Sequence, residues 1–410
     1  MALFETLERR VLFANGFADT PAPSILFIRG ATRSGGFLEG TNAATRNEQL
    51  ADINNTSTAA GNAGWGSLAQ TLRDHGFTVE QMTEAKEPNA PATGLIEGKP
   101  IRFENLDLTK YAAIVFGSNN ARYPKASVDA IEKYVQNGGG ALFISDANFG
   151  STWRDSPDSD QQFLSRFGLV VNQDNGVYSL TRSGGDFVLP NDPVLKGVNA
   201  FDGEGVSPII VPVTPPAGVS IARVVRAKGQ TRNNDAIDSS NHFQGSLRAT
   251  NDRDAALVLA KAGRGKVAYY FDRNTFFNPN GVGTDITQLD NRQLAINLFT
   301  WVSDTTPPAV ISTHFQQGAP SEVRLTFNDL LVGSLTRGDI LLRDALDATP
   351  IPSKRWSFGI TESGGQTELV IRIKGAQPAG TYQLQINKGR ISDDAGNANA
   401  TRIRFNFTIG

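Results

Sequence analysis

The hydrophobic period of this chain changes once, at Pro307-Pro308, and that change constrains the fold more than any single motif. Before it, continuous apolar runs of strand length alternate with stretches whose apolar residues recur at helical spacing. After it there are only short segments in strict two-residue alternation. A strand buried on both faces reads as an unbroken apolar run, so the first pattern predicts a parallel α/β sheet. The second predicts an antiparallel sandwich with one wet face per sheet. The paired prolines cannot continue a helix and stiffen the joint. A length of 410 residues suits two such domains.

Ser24–Gly30, Phe77–Met82, Tyr111–Gly117 and Ala141–Ser145 are the predicted parallel strands, and Lys266–Asn274 holds a later one. Helices are predicted over Ser67–His75, with Leu68 and Leu72 one turn apart, and over Ser127–Gln136, with Val128, Ile131, Tyr134 and Val135 as the stripe. Asn137-Gly138-Gly139-Gly140 stops the second. Asn291–Val302 is predicted to close the domain as a helix. Residues 31–64 are rich in Gly, Asn, Thr and Ala; the expectation is a long loop near the strand carboxyl ends with little to place in a core. Residues 201–208 are expected to form a polar turn, and 228–254 an exposed segment.

Net charge is −2, from 39 basic and 41 acidic residues, which provides no electrostatic footprint for nucleic acid. No apolar run reaches the roughly eighteen residues of a transmembrane helix. The chain has no cysteine, so disulfides, thiolate metal sites and a cysteine nucleophile are all ruled out. Three scattered histidines, His75, His242 and His314, do not make a metal site. The glycine-rich segments lack the Lys-Ser/Thr of a phosphate loop.

Three resemblances add to this reading. Leu7-Glu8-Arg9-Arg10-Val11-Leu12-Phe13-Ala14 resembles the LEPR-XLL motif of planctomycete-type bacterial proteins, with Arg9 where Pro is usual and Phe13 where Leu is usual. It implies a sorting segment over 1–23 and an extracellular or cell-envelope location. The succession of strand, helix ending Tyr134-Val135-Gln136-Asn137-Gly138-Gly139-Gly140, strand and sharp turn resembles the class I glutamine amidotransferase-like superfamily, in its trehalose-utilisation-like and β-galactosidase-trimerisation-like branches. This resemblance spans most of 24–303 and implies a flavodoxin-like α/β sandwich. Asp304-Thr305-Thr306-Pro307-Pro308, Leu325-Thr326-Phe327, Tyr382–Ile386 and Asp393-Asp394-Ala395-Gly396-Asn397 resemble a bacterial Ig-like module over 304–410. The amidotransferase family places a Cys on the turn after the fourth strand, and a His and Glu after the late strand. Here Ser145 or Asp146, Asp272 and Asn274 stand there. Acyl transfer needs a base bonded to its nucleophile, so glutaminase activity is not expected.

In open parallel sheets ligands bind beyond the strand carboxyl ends. Arg29, Ser118, Asn119, Ser145, Asn148, Glu204, Arg273 and Asn274 fall there and are the candidate ligand-binding residues. Asp146 and Asp272 are candidate catalytic carboxylates for a glycosidase-type pair, or with Glu204 an oxygen-ligand cation site. Asx residues at strand ends also cap helices and close turns with no ligand at all. Trp153, Tyr178, Phe276 and Phe277 could stack on a sugar or fill a core. Asp393, Asp394 and Asn397 could hold Ca²⁺ or simply form an Asx-Gly turn; no other cofactor is expected. Two functions follow. One is an exported ligand-binding or assembly module that meets a glycan or other envelope component, with its catalysis lost. The other is a carbohydrate-active hydrolase using the carboxylate pair.

Overall fold

The computed structural model describes residues 22–30, 50–86, 98–118, 120–146, 156–172, 177–232, 247–331, 335–363, 366–393 and 395–410. They fall into two compact units that divide between Thr305 and Thr306. The chain is an α/β unit built on a mixed sheet, followed by an all-β unit. The LEPR-XLL-like segment, Asn119, Asn148, Trp153, His242 and Asp394 lie outside the described residues.

In the α/β unit, β1 (Ser24–Arg29), β2 (Thr78–Thr83), β3 (Ala113–Phe116) and β4 (Gly140–Ile144) run parallel. Then come β5 (Val170–Val171), β6 (Val177–Thr181), β7 (Ala200–Glu204), β8 (Ile209–Ile210), β9 (Val219–Arg226), β10 (Asp254–Ala262) and β11 (Gly265–Tyr270). The nine-stranded sheet has the order β2-β1-β3-β4-β11-β10-β8-β5, with β9 also paired to β10. β11 is parallel to β4, but β10, β9, β8 and β5 join antiparallel. β6 and β7 form a separate hairpin.

Apolar residues of alternating strand positions feed two helical layers. Phe27 stacks on Phe299 at 5.7 Å between ring centroids. Phe299 belongs to α4 (Asn291–Ser303), which with α1 (Gly66–Asp74) buries Leu68, Leu72, Leu294 and Leu298. On the other layer Phe116 stacks on Phe143 at 5.1 Å, and both meet Phe163 of α3 (Ser156–Leu164). α2 (Lys125–Gln136) buries Val128, Ile131, Tyr134 and Val135, the stripe expected from its spacing.

Three expectations need correction. The polar stretch 201–208 is not all turn: Ala200–Glu204 is β7, because Phe201 is a wholly buried anchor and the alternation carries the Asp and Glu outward. The stretch 228–254 is not one exposed segment: Gln230–Arg232 pairs with Leu247–Ala249, and Arg248 holds the fully buried Asp254 through two bonds of 2.6 and 3.0 Å. The stretch 31–64 does contribute to the core: Leu50, Ala51, Ile53 and Ala63 are buried, although among its described residues only the bridge from Asn62 to Gly281 is β-like.

The all-β unit comprises β12 (Val310–Gln316), β13 (Ser321–Phe327), β14 (Ile340–Asp344), β15 (Trp356–Ser363), β16 (Gln366–Ile373), β17 (Gly380–Ile386) and β18 (Ile403–Ile409). They form a four-stranded sheet, β12-β13-β16-β15, and a three-stranded sheet, β14-β17-β18. Val323, Leu325, Leu369, Ile371, Leu384 and Phe407 form its own core. On the wet face of β13 and β16, Arg324 lies 2.5 Å from Glu322 and 2.7 Å from Glu368. A fragment of residues 305–410 should therefore fold alone, with cooperative urea unfolding and a β-type circular dichroism spectrum without helical signal. An unfolded fragment would contradict the independence of this core.

Candidate functional site

β1, β3, β4 and β11 lie side by side, so their carboxyl ends collect Arg29, Ser118, Ser145, Asp146, Asp272, Arg273 and Asn274 along one edge. The backbone stitches them together. Gly30 N donates to Ser118 Oγ at 2.7 Å, Ser145 N to Tyr270 O at 2.9 Å, and Arg273 N to Ser145 O at 2.7 Å. Glu204 reaches the edge from β7, and its backbone N donates to Asp272 Oδ2 at 2.9 Å. Its carboxylate lies against Gly283, where a Cβ would stand 1.6 Å from Glu204 Oε2. With φ at +82° as well, any other residue at position 283 would be strained and would have to displace the Glu204 carboxylate. Arg29 turns away from the set, donating to Leu50 O at 3.1 Å and pairing with Asp52 at 3.6 Å.

The two candidate catalytic carboxylates are inward groups. Asp272 has no solvent exposure, and Asp146 is 3% exposed. Asp272 Oδ1 accepts from Asn274 N at 2.8 Å, while Oδ2 faces Glu204 N and the hydroxyls of Thr275 and Thr284, each hydroxyl at 3.3 Å. Burial, then the nearby charge of Asp146, hold the Asp272 carboxyl well above the usual carboxylate range, against the lowering effect of its backbone donors and Arg273. Asp146 pairs with Arg273 at 2.8 Å, both side chains less than a tenth exposed. Beside them Tyr269 donates to Ser207 O at 2.6 Å. Burial raises its phenol, while Ser145 nearby opposes that shift. Among the described residues, Asp146, Asp272 and Glu204 do not bring three oxygens within 4.8 Å of one another, so no cation cage is formed from them.

The strand order reverses between β1 and β3, where a ligand crevice is expected. That position is filled by Trp65, 1% exposed. Its ring meets Phe27 edge-on at 6.0 Å and its Nε1 donates to Arg273 O at 3.3 Å. A Cβ at Gly117 would lie 1.9 Å from Trp65 Cη2, so residue 117 must be glycine for the indole to enter. The strap that delivers Trp65, residues 50–65, is tied down by amides. Asn278 Nδ2 donates to Asn55 O and Ser57 O at 2.7 and 3.0 Å, and Asn62 Nδ2 to Pro279 O at 3.1 Å. Asn278 Oδ1 also accepts from Ser67 N at 2.7 Å, completing the first turn of α1, which has no side-chain cap of its own.

Trp65, Gly117 and Asn278 are functional-edge residues that sequence reasoning missed. The one signal available was a lone Trp in an Asn/Gly-rich stretch immediately before a helix. Glu84 was missed too. It is 3% exposed, follows β2, and both its oxygens accept from Ala121 N, at 3.1 and 2.9 Å, ordering the chain after β3. Phe276 and Phe277 are buried to within 1% of full coverage and line the core, not a sugar platform. His75 Nδ1 sits 2.7 Å from Thr71 O at a helix end, and His314 lies on β12. In the all-β unit Asp393 Oδ1 accepts from Asn397 N at 2.7 Å and Oδ2 from Asn397 Nδ2 at 2.9 Å, the pattern of an Asx-closed turn.

Trp65→Ala should cost about 3–5 kcal/mol through loss of a fully buried indole. Gly117→Ala should cost about 1–3 kcal/mol by overpacking against the same ring. Urea unfolding of the two single variants and the double variant checks this: in the Trp65→Ala background, the Gly117→Ala penalty should vanish.

A profile of the bacterial Ig-like domain family matches residues 304–409. Among solved structures, a ThuA-like protein from Parabacteroides merdae aligns over 69% of this chain and 90% of its own length at 14% identity, with a TM-score of 0.37. A chain from the complex of Dpr2 Ig1-Ig2 with DIP-Theta Ig1-Ig3 aligns over 58% of this chain and 57% of its own at 12% identity, TM-score 0.16. At such scores neither structural likeness bears on the site. No curated protein matches the chain.

Proposed function

We propose that this chain is an exported or cell-envelope bacterial protein whose α/β unit is a catalytically silent binding or assembly module, with the Ig-like unit as its accessory. The observation that carries this reading is the self-filled sheet edge. Trp65 occupies the reversal point, Asp146 is committed to Arg273, and Asp272 is committed to four donors and hydroxyls. Nucleophilic or general-acid chemistry needs a group within reach of a substrate and of its proton partner. Neither carboxyl group has that access, and no cysteine is present to act as a glutaminase nucleophile. The glycan or envelope component would then be met on the outer surface of the units, and not in the filled edge.

No helix among the described residues is long and apolar enough to cross a membrane. A bacterial Ig-like unit fits a role beyond the cytoplasmic membrane. The full chain incubated with glutamine and with a panel of aryl glycosides should release neither ammonia nor phenol above the level of the Asp146→Asn variant. Turnover by the wild type that is lost in that variant would overturn the reading in favour of a hydrolase. A glycan array probed with the intact chain then identifies the binding partner class.

A further inference from the structure

Glu204 differs from the other carboxylates of the edge. Asp146 is paired with Arg273, and Asp272 accepts from two backbone amides. The Glu204 side chain is half-buried, yet among the described residues its carboxylate accepts no hydrogen bond and forms no ion pair. Its backbone is fixed all the same: N donates to Asp272 Oδ2 at 2.9 Å, and O faces Asn274 Nδ2 at 3.5 Å. A partly desolvated carboxylate without a protein donor is costly, and a ligand that supplies the donors removes that cost.

Asn274 borders the same spot. Its side chain is 3% exposed, and its Nδ2 lies 3.2 Å from the point where a Cβ on Gly283 would stand. Glu204 Oε2 lies 1.6 Å from that point. Gly283 is exposed and has no side chain to cover the pair. The neighbours set the orientation of the amide. Turned over, Asn274 Oδ1 would face the carbonyl and the carboxylate of Glu204, acceptor against acceptor. A donor and an acceptor thus flank one exposed glycine. The loop that carries it is held on both sides: Val282 N donates to Asn62 O at 2.9 Å, and Thr284 Oγ1 to Asp272 Oδ2 at 3.3 Å. The arrangement is therefore preformed.

We propose that Glu204 and Asn274 bind a vicinal diol of a neutral sugar at the outer rim of the filled edge. A hydroxyl accepts from Asn274 Nδ2 and donates to Glu204 at once. The second hydroxyl of the diol donates to the other carboxylate oxygen, so one ligand engages the amide and both oxygens through charge-assisted bonds. The N–H of Asn274 disfavours a cation there, and the Glu204 carboxylate disfavours an anion. The site rests on the binding-module reading and gives it a ligand class and a place. The interior of the edge is closed by Trp65, whereas the rim at Gly283 faces outward.

The test is saturation-transfer difference NMR and titration calorimetry of the full chain with methyl α-mannopyranoside, methyl α-glucopyranoside and methyl α-galactopyranoside. Between them these present cis and trans vicinal diols; methylammonium chloride is the cationic probe. Saturation of ring protons beside a diol in at least one glycoside is the expected result, with affinity weaker by about tenfold or more in Glu204→Gln. Because the carboxylate engages no protein donor, Glu204→Gln should keep the wild-type urea midpoint, which a structural role would not allow. Asn274→Asp sets a second carboxylate at the same spot and should lose the sugar; if it does not fold, Glu204→Gln decides alone. Saturation of none of the glycosides, equal sugar affinity in wild type and Glu204→Gln, or Glu204-dependent binding of methylammonium alone would overturn the proposal. Glycan-array binding that survives Glu204→Gln removes this site and keeps the binding-module reading, whereas turnover lost in Asp146→Asn removes that reading itself.

Discussion

One indole decides the character of the α/β unit. A doubly wound sheet leaves a concavity where its strand order reverses, because the chain departs in opposite directions from two neighbouring strands. In this protein that concavity is closed by Trp65, admitted because residue 117 has no side chain and held by a carbonyl from the far strand end. Burying so large a ring supplies apolar contact that a ligand would otherwise provide. The indole thereby ties the strap, the end of β3 and the end of β11 into one packed edge.

The carboxylates follow from that choice. Once water is excluded from the edge, an acidic side chain there must find a counter-charge, accept hydrogen bonds or keep its proton. Asp146 takes the first course with Arg273. Glu84 takes the second, gathering backbone and side-chain donors after β3. Asp272 is surrounded so that its ionised form is the costly one. Three acidic residues that look alike in sequence therefore have three electrostatic fates, set by burial and by the charges and donors beside each one.

Most of the secondary structure was legible because burial on both faces writes an unbroken apolar run. β1, β3 and β4, and the stripes of α2 and α4, stand within a residue or two of the sequence expectation. The antiparallel extension was not read, although Ala255 to Ala260 is an apolar run and Val219–Arg226 alternates. Without a helix between them, consecutive strands give no sign of whether they join the same sheet. Along the site edge, the polar strand ends were identifiable from their positions, but their accessibility was not. Whether Asp272 faces solvent or Thr275 depends on contacts with residues 202–204 and 284, which no local pattern encodes. The strap was misread as core-poor because its few apolar residues are spaced irregularly, each serving a separate pocket.

The completion of α1 by Asn278 has a kinetic side. The helix begins at Gly66 without a cap in its own neighbourhood, and the side chain that satisfies Ser67 N arrives 211 residues later. A nascent chain emerging from the ribosome would present the strap and α1 long before their partners exist. Local helix formation is weak at nine residues, so this region waits for the end of the domain. Contacts of such long sequence separation slow the search for the native topology, and they make folding of the α/β unit an event governed by its last third.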